Sequence, residues 1–273
     1  MLDIEKIRKI IEEAEAVLIT AGAGIGVDSG LPDFRGNEGF WRAYPPIAKL
    51  GLSFSEMANP QWFKEDPSLA WAFYGHRLDL YRKTTPHEGF AMLFDLVKEK
   101  DENYFIFTSN VDGQFQKAGF SEEKIYEVHG SIHYLQCTKN CTDEIWENDE
   151  EVAVDMQEFK ALNYPLCPNC GTIARPNILM FGDWHWNDRR ATYQNRLYDT
   201  WKKKNRTKKT VVIEIGAGTA IPTVRIEGER FVSRCPNATL IRINPREFEV
   251  NGKNKYSVSL GGLEGIKAVL DKS

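Results

Sequence analysis

The sequence predicts an α/β fold: a parallel sheet with helices between its strands and a small module inserted into it. Three observations predict this. Four apolar, β-rich runs end in glycine or polar residues: Val17-Leu18-Ile19 leading into a glycine turn, YFIFTSNVDG (104–113), VVIEIGAGTAIP (211–222) and ATLIRINP (238–245). Helical patterns fill the intervals at 67–83, 87–99, 113–119 and 187–203. Residues 131–175 interrupt that alternation and hold two close pairs of cysteines. Continuous apolar runs separated by helices belong to sheets covered on both faces, which are parallel. Strand ends bearing Gly, Asn, Asp or Thr then share one edge of the sheet, where open α/β folds bind ligands; the expected architecture is Rossmann-like.

In chain order, MLDIEKIRKIIEEAEA places Ile4, Ile7, Ile10, Ile11 and Ala14 at helical spacing, an amphipathic helix capped by Asp3 and not a secretory signal. The first strand runs into Gly22-Ala23-Gly24, where absent side chains let the backbone approach a ligand while the chain turns toward a helix. Amides at such a turn suit phosphate; a plain strand-to-helix turn is the alternative. The dinucleotide fingerprint G-x-G-x-x-G is incomplete, because Val27 holds the third glycine position and no acid follows a second strand at the right distance. Hydride transfer is therefore disfavoured. Residues 37–66, with Trp41, Tyr44, Phe54, Trp62 and Phe63, read as a small insertion on a satellite apolar core. KKKNRTKK (202–209) reads as a solvated connection, and TDEIWENDEEVAVDMQE (142–158) as an exposed acidic loop able to attract lysine-rich substrates.

Cys137 and Cys141 (CTKNC) and Cys167 and Cys170 (CPNC) are spaced as in a zinc ribbon, since tetrahedral zinc takes soft ligands from two turns. Two disulfides are the alternative, disfavoured by the strain of such short loops and the lack of a secretory segment. A metal held by four thiolates has no open position, so its role would be structural. Cys235 stands alone and reads as a buried small residue.

A chain of 273 residues, 42% hydrophobic and 27% charged, has room for one large domain plus a small module. A net charge of −4 argues against nucleic acid as the main partner. The longest apolar run, about residues 16–27, is short and glycine-rich, so no membrane span is expected and a cytoplasmic location is.

Together these motifs resemble the sirtuins, NAD-consuming protein deacylases, from about Ala16 to about Val258. AGAGIGVDSGLPDFRG is similar to the family's GAGxSxxxGIPDFR loop, TSNVDGQFQKAG to its TQNxDxLxxxAG segment, and EVHGS to its histidine-glycine motif. The cysteine pairs follow the histidine as the family's zinc module does. RPNILMFGD resembles RPxVVxFGE, GAGTAIPTV resembles GTSxxVxP, and INP resembles the asparagine segment that meets the adenosine.

The resemblance implies one catalytic domain over 1–273, with a nucleotide-binding part at 16–130 and 176–260, a zinc module at 131–175 and the small insertion at 37–66. It implies NAD and zinc as cofactors and an acyl-lysine protein or peptide as partner. The cofactor would lie on Ala21, Gly22, Ala23, Gly24, Ile25, Asp33, Phe34, Arg35, Ser109, Asn110, Asp112, Gly216, Gly218 and Asn244. Phe34 would shield the reacting ribose carbon, Asn110 and Asp112 would hold carboxamide and ribose, and His129 would be the general base, a task that suits imidazole. His76, His87, His133 and His185 read as structural. The implied reaction is attack of the acyl oxygen on the ribose carbon with loss of nicotinamide, then His129-assisted attack by the 2′-oxygen, giving free lysine and O-acyl-ADP-ribose. The peptide would lie as an added strand between Phe181-Gly182-Asp183 and Ala220-Ile221-Pro222, with Ile178 also in contact.

Some positions depart from the family. Gly26 stands for serine, Ser109 for glutamine, Gly218 for the serine of GTS, and Phe90 for a second histidine. Tyr74 and Arg77, three apart on one helix face, resemble the Y-x-x-R of sirtuins that remove malonyl and succinyl groups, where a guanidinium and a hydroxyl hold the acyl carboxylate. An arginine with its stem packed on tyrosine is the plainer reading. Rival functions are ADP-ribosyl transfer or NAD hydrolysis on the same scaffold, and a non-enzymatic NAD-sensing zinc-ribbon adaptor.

Overall fold

The computed structural model describes residues 4–33 and 36–271. Asp3, expected to cap the first helix, and Phe34 and Arg35 of the cofactor loop lie outside the described residues.

The strands in chain order are β1 (Ala16–Ala21), β2 (Tyr104–Thr108), β3 (Ile125–Glu127), β4 (Gly130–Cys137), β5 (Trp146–Glu147), β6 (Val154–Asp155), β7 (Lys160–Ala161), β8 (Ala174–Ile178), β9 (Thr210–Ile215), β10 (Ala238–Ile243) and β11 (Lys255–Val258). Six of them form one sheet in the order β11-β10-β9-β1-β2-β3, and every pairing in it is parallel. Side chains alternate between two apolar layers, as the pleat requires. Val17, Ile19 and Ala21 face a core shared with Ile7, Leu93 and Ile266, whereas Leu18, Phe105 and Val212 face Tyr198 and Phe231. Burial on both faces explains why the central strands read as unbroken apolar runs.

The expected helices form at Pro67–Lys83, Glu88–Glu99 and Arg189–Asn205, with a shorter one at Gln114–Lys117. The Asp66 carboxylate accepts from the Leu69 amide ahead of Pro67, a cap readable from sequence. Ile7 and Ile11 of the first helix, Ile4–Glu12, are buried. KKKNRTKK is less of a connection than expected: Lys202–Asn205 belong to the helix, and Asn205 is buried, donating to the Trp201 carbonyl.

The register aligns the strand ends that matter. Ala21 pairs with Thr108 and with Ile215, Thr108 with Glu127, and Ile215 with Ile243. The loops beginning at Gly22, Ser109, Val128, Gly216 and Asn244 therefore leave the sheet side by side. Because β1 lies between β2 and β9, the chain order reverses there, and that reversal opens a crevice.

A second lobe packs beyond these loops. β4 pairs antiparallel with β5 and β8. Strand β8 holds Arg175-Pro176, so the boundary expected between 175 and 176 falls inside a strand of the small sheet. All five residues of β8 are buried. Nor is the aromatic insertion a satellite. Phe40, Tyr44 and Phe63 share one core with Trp71, Phe73 and Tyr74 of the long helix and with Ile132, Leu135, Phe159 and Ala174 of the cysteine module. The acidic segment contributes to it as well: Trp146, Val152 and Val154 pack there, and a Cβ on Gly75 would fall 2.6 Å from Val152. Among the described residues, no helix is long and apolar enough to cross a membrane.

Candidate active site

A cavity of about 600 Å³ lies between the lobes, within the range of small-molecule sites. The sheet side contributes Gly22, Ala23, Gly24, Asp33, Ser109, Asn110, Asp112, His129, Gly216 and Gly218. The second lobe contributes Tyr74, Arg77, Ile178 and Phe181, and Ile221 closes the rim. Ala21, Ile25, Gly182 and Asn244 do not line it. Ile25 is buried in the sheet core, and the Asn244 side chain is engaged by protein, donating to the Ala217 carbonyl of the loop after β9 at 2.9 Å and accepting from the Arg246 and Glu247 amides of its own loop.

Tight backbone packing fixes the loops that form the floor. A Cβ on Gly22 would sit 2.8 Å from the Gly216 carbonyl and one on Gly24 2.7 Å from the Gly216 Cα, so these glycines serve first to bring the two loops together. Asn110 adds a bond from its amide to the Gly22 carbonyl at 3.1 Å, and the Ser109 amide donates to Ala21 at 3.2 Å. Three strand ends are thus tied into one surface.

Charge in the cavity is set mainly by burial. Burial holds His129 below the ordinary imidazole value, offset in part by a hydrogen bond to the Ser109 backbone. Its ring is therefore neutral at neutral pH and able to accept a proton. The Asp112 carboxyl is pushed up to about 6 by burial, against the opposing pull of the Gln114 amide and of nearby Arg77. His133 Nε2 lies 2.9 Å from the Asp112 carbonyl, and His87 Nε2 lies 2.8 Å from the Ile25 carbonyl. His76 bonds the Tyr44 hydroxyl. These histidines hold the frame, as the sequence suggested; His185 is exposed.

Tyr74 and Arg77 are only 1% and 6% exposed. Arg77 lies over the rings of Phe73, Tyr74 and Tyr81 and donates from Nε and Nη2 to the Tyr81 hydroxyl. The Tyr74 hydroxyl is buried with no hydrogen-bond partner among the described residues, and burial raises it to about 12, so it remains a proton donor. Tyr81 also lines the cavity and was missed from the sequence, although its i+4 spacing from Arg77 was a usable signal.

The four paired cysteines converge as spaced. Their sulfurs lie within 4.8 Å of one another, with Cys137 to Cys170 at 3.7 Å and Cys141 to Cys167 at 3.6 Å. A tetrahedron with Zn–S bonds of ~2.3 Å has edges of about 3.8 Å, so the donor set fits zinc. All five cysteines are free, which removes the disulfide alternative, and Cys235 is buried.

Fold and site define a nucleotide-binding α/β protein whose cleft is closed by a four-thiolate lobe. The chain matches the Sir2 family model over residues 22–217 and belongs to that family, the sirtuins. It is 29% identical over 262 residues to the NAD-dependent protein deacylase of Aquifex aeolicus (strain VF5), covering 96% of each chain. It is 26% identical over 271 residues to NAD-dependent protein deacylase 1 of Caldanaerobacter subterraneus subsp. tengcongensis, again covering 96% of each. Among solved structures, a Sir2 homolog–NAD complex superposes with a TM-score of 0.73 at 25% identity, over 97% of this chain and 92% of that one.

Proposed function

We propose that this protein is an NAD-dependent protein-lysine deacylase, and that it removes acidic acyl groups at least as well as acetyl. The observation that carries the first part is the convergence of Ser109, Asn110, Asp112 and His129 with the paired glycine loops on one cavity. Membership of the Sir2 family and likeness to curated deacylases support it.

NAD, when bound, supplies the ribose carbon that accepts the acyl oxygen and the nicotinamide that leaves. Within the chain, the loops at Gly22–Gly24 and Gly216–Gly218 present backbone to the diphosphate. Asn110 and Asp112 orient the nicotinamide end, and Asp33, paired with Arg246 at 3.6 Å, stands toward the cavity from the loop above. Neutral His129 takes the ribose hydroxyl proton. Ile178, Phe181 and Ile221 border the path of the lysine chain, and Gly182, outside the cavity, lies in the turn after β8 beside which a peptide strand would run. Zinc on Cys137, Cys141, Cys167 and Cys170 would hold the second lobe in place without touching substrate.

Support for an acidic acyl group comes from the far end of the cavity. An acetyl group leaves the buried Tyr74 hydroxyl unsatisfied, whereas a terminal carboxylate accepts from it and pairs with Arg77.

The decisive assay incubates the protein with NAD and acetyl-, malonyl- and succinyl-lysine peptides. Nicotinamide should be released with O-acyl-ADP-ribose; free ADP-ribose alone would point to hydrolysis instead. Arg77→Met should lower desuccinylation sharply and leave deacetylation nearly unchanged. An unchanged ratio of the two rates would remove the acidic-acyl assignment.

A further inference from the structure

Arg77 is carried on a long, flexible stem, and side chains of this type hold about 2 kcal/mol of rotamer entropy. A site that must recognise a carboxylate gains most when that freedom is removed before the ligand arrives. Here Tyr81 does much to remove it. Tyr81, one helical turn further along Pro67–Lys83, accepts from Arg77 Nε at 3.1 Å and from Nη2 at 2.9 Å through a single phenolic oxygen. Two bonds to one edge of a planar guanidinium fix both its position and the direction of its plane. The rings of Phe73, Tyr74 and Tyr81 lie 5.1, 5.7 and 5.5 Å from its central carbon and restrict it further.

Tyr81 is held in turn. Its backbone carbonyl accepts from Gln114 Nε2 at 3.3 Å, and the Gln114 amide donates to Asp112 Oδ1 at 3.0 Å. Tyr81, Arg77 and Asp112 all line the cavity, so a short chain of bonds joins the guanidinium at the acyl end to the carboxylate at the nicotinamide end.

We infer that Tyr81 is a positioning residue for acyl-chain selection, holding Arg77 in the orientation that receives the distal carboxylate. The inference rests on the acidic-acyl reading above and adds to it the residue that makes the arginine selective. Without the hydroxyl, Arg77 remains charged and present but loses the two bonds that set the plane of its guanidinium before substrate arrives.

The test is steady-state kinetics of Tyr81→Phe, Arg77→Met and the parent with succinyl- and acetyl-lysine peptides at saturating NAD. Tyr81→Phe should lower kcat/KM for the succinyl peptide about tenfold, through KM, since hydrogen bonds to charged groups are worth that much or more. Both constants for the acetyl peptide should stay within about twofold of the parent. A residue that mattered only for folding would move both substrates together, and that result overturns the proposal. So does an unchanged succinyl KM in Tyr81→Phe while Arg77→Met is impaired, which leaves the acidic-acyl reading standing. An unchanged ratio in Arg77→Met removes reading and proposal together. Should Tyr81→Phe fail to fold, Tyr81→Leu likewise removes the acceptor and is judged by the same split of KM between the two peptides.

Discussion

Gly24 and Gly216 meet backbone to backbone: a Cβ on Gly216 would fall 2.4 Å from the Gly24 carbonyl carbon, and one on Gly24 2.8 Å from the Gly216 carbonyl oxygen. This contact joins the turns that follow β1 and β9 and forms the floor of the cavity.

The contact makes the glycines unequal. Gly216 has a φ of +64° as well as the close approach, so Gly216→Ala incurs both left-handed strain and overlap with backbone that cannot move aside. A melting temperature well below the parent and a raised KM for NAD are expected. At Gly218 the nearest atom to a new Cβ is Glu247 Oε2 at 3.5 Å, an ordinary contact. Gly218→Ser should therefore change stability by less than about 0.5 kcal/mol, since the added side chain meets no fixed backbone. Equal losses at the two positions would refute the packing account.

His129→Ala should reduce deacylation by about 10²–10⁴-fold through loss of proton transfer, with folding intact by circular dichroism. Product formation at the parental rate would dismiss His129 as the base.

The pH dependence follows from two groups. His129 sits below the ordinary imidazole value and works unprotonated, so its contribution is lost as pH falls through that lowered value. Asp112 is pushed up to about 6 and works ionised, so its contribution is lost as pH falls through that point. The profile of kcat/KM for NAD should be level at neutral pH and fall on the acid side more steeply than one proton allows. Asp112→Asn should reduce that limb to a single proton, at lower overall affinity; a limb of unchanged steepness would exclude Asp112 from the titration.

Metal analysis should find one zinc per chain, because the sulfur tetrahedron is already of the right size. Cys170→Ser should release the metal and lower the melting temperature, since binding and folding are coupled at such sites. Activity lost only in proportion to unfolding marks the metal as structural.

Arg175 and Asp183 form a buried pair, 3% and 0% exposed, that fixes the loop carrying Met180 and Phe181. Asp183→Ala leaves the Arg175 charge buried and uncompensated, a cost of roughly 3–5 kcal/mol. Denaturant titration should show the drop, and a loss below about 1 kcal/mol would contradict the burial.

What was legible in the sequence was what is local. The first helix, the central strands, the long helix behind Asp66-Pro67 and the cysteine tetrad each depend on spacing or on a short chemical signature. The edge strands β3 and β11 were not seen, because three or four residues with exposed neighbours are too few to establish a period. The order of motifs was enough to indicate the family. Only the tertiary structure decided which sheet owns β8, why Gly24 faces Gly216, and that Arg77 is buried with its guanidinium held by Tyr81. Each of these joins surfaces from distant segments or settles the direction of a side chain within a packed lobe. A periodic pattern fixes which face of a helix is apolar; what that face meets is set by segments dozens of residues away, and so are the charge and shape of the acyl end of the site.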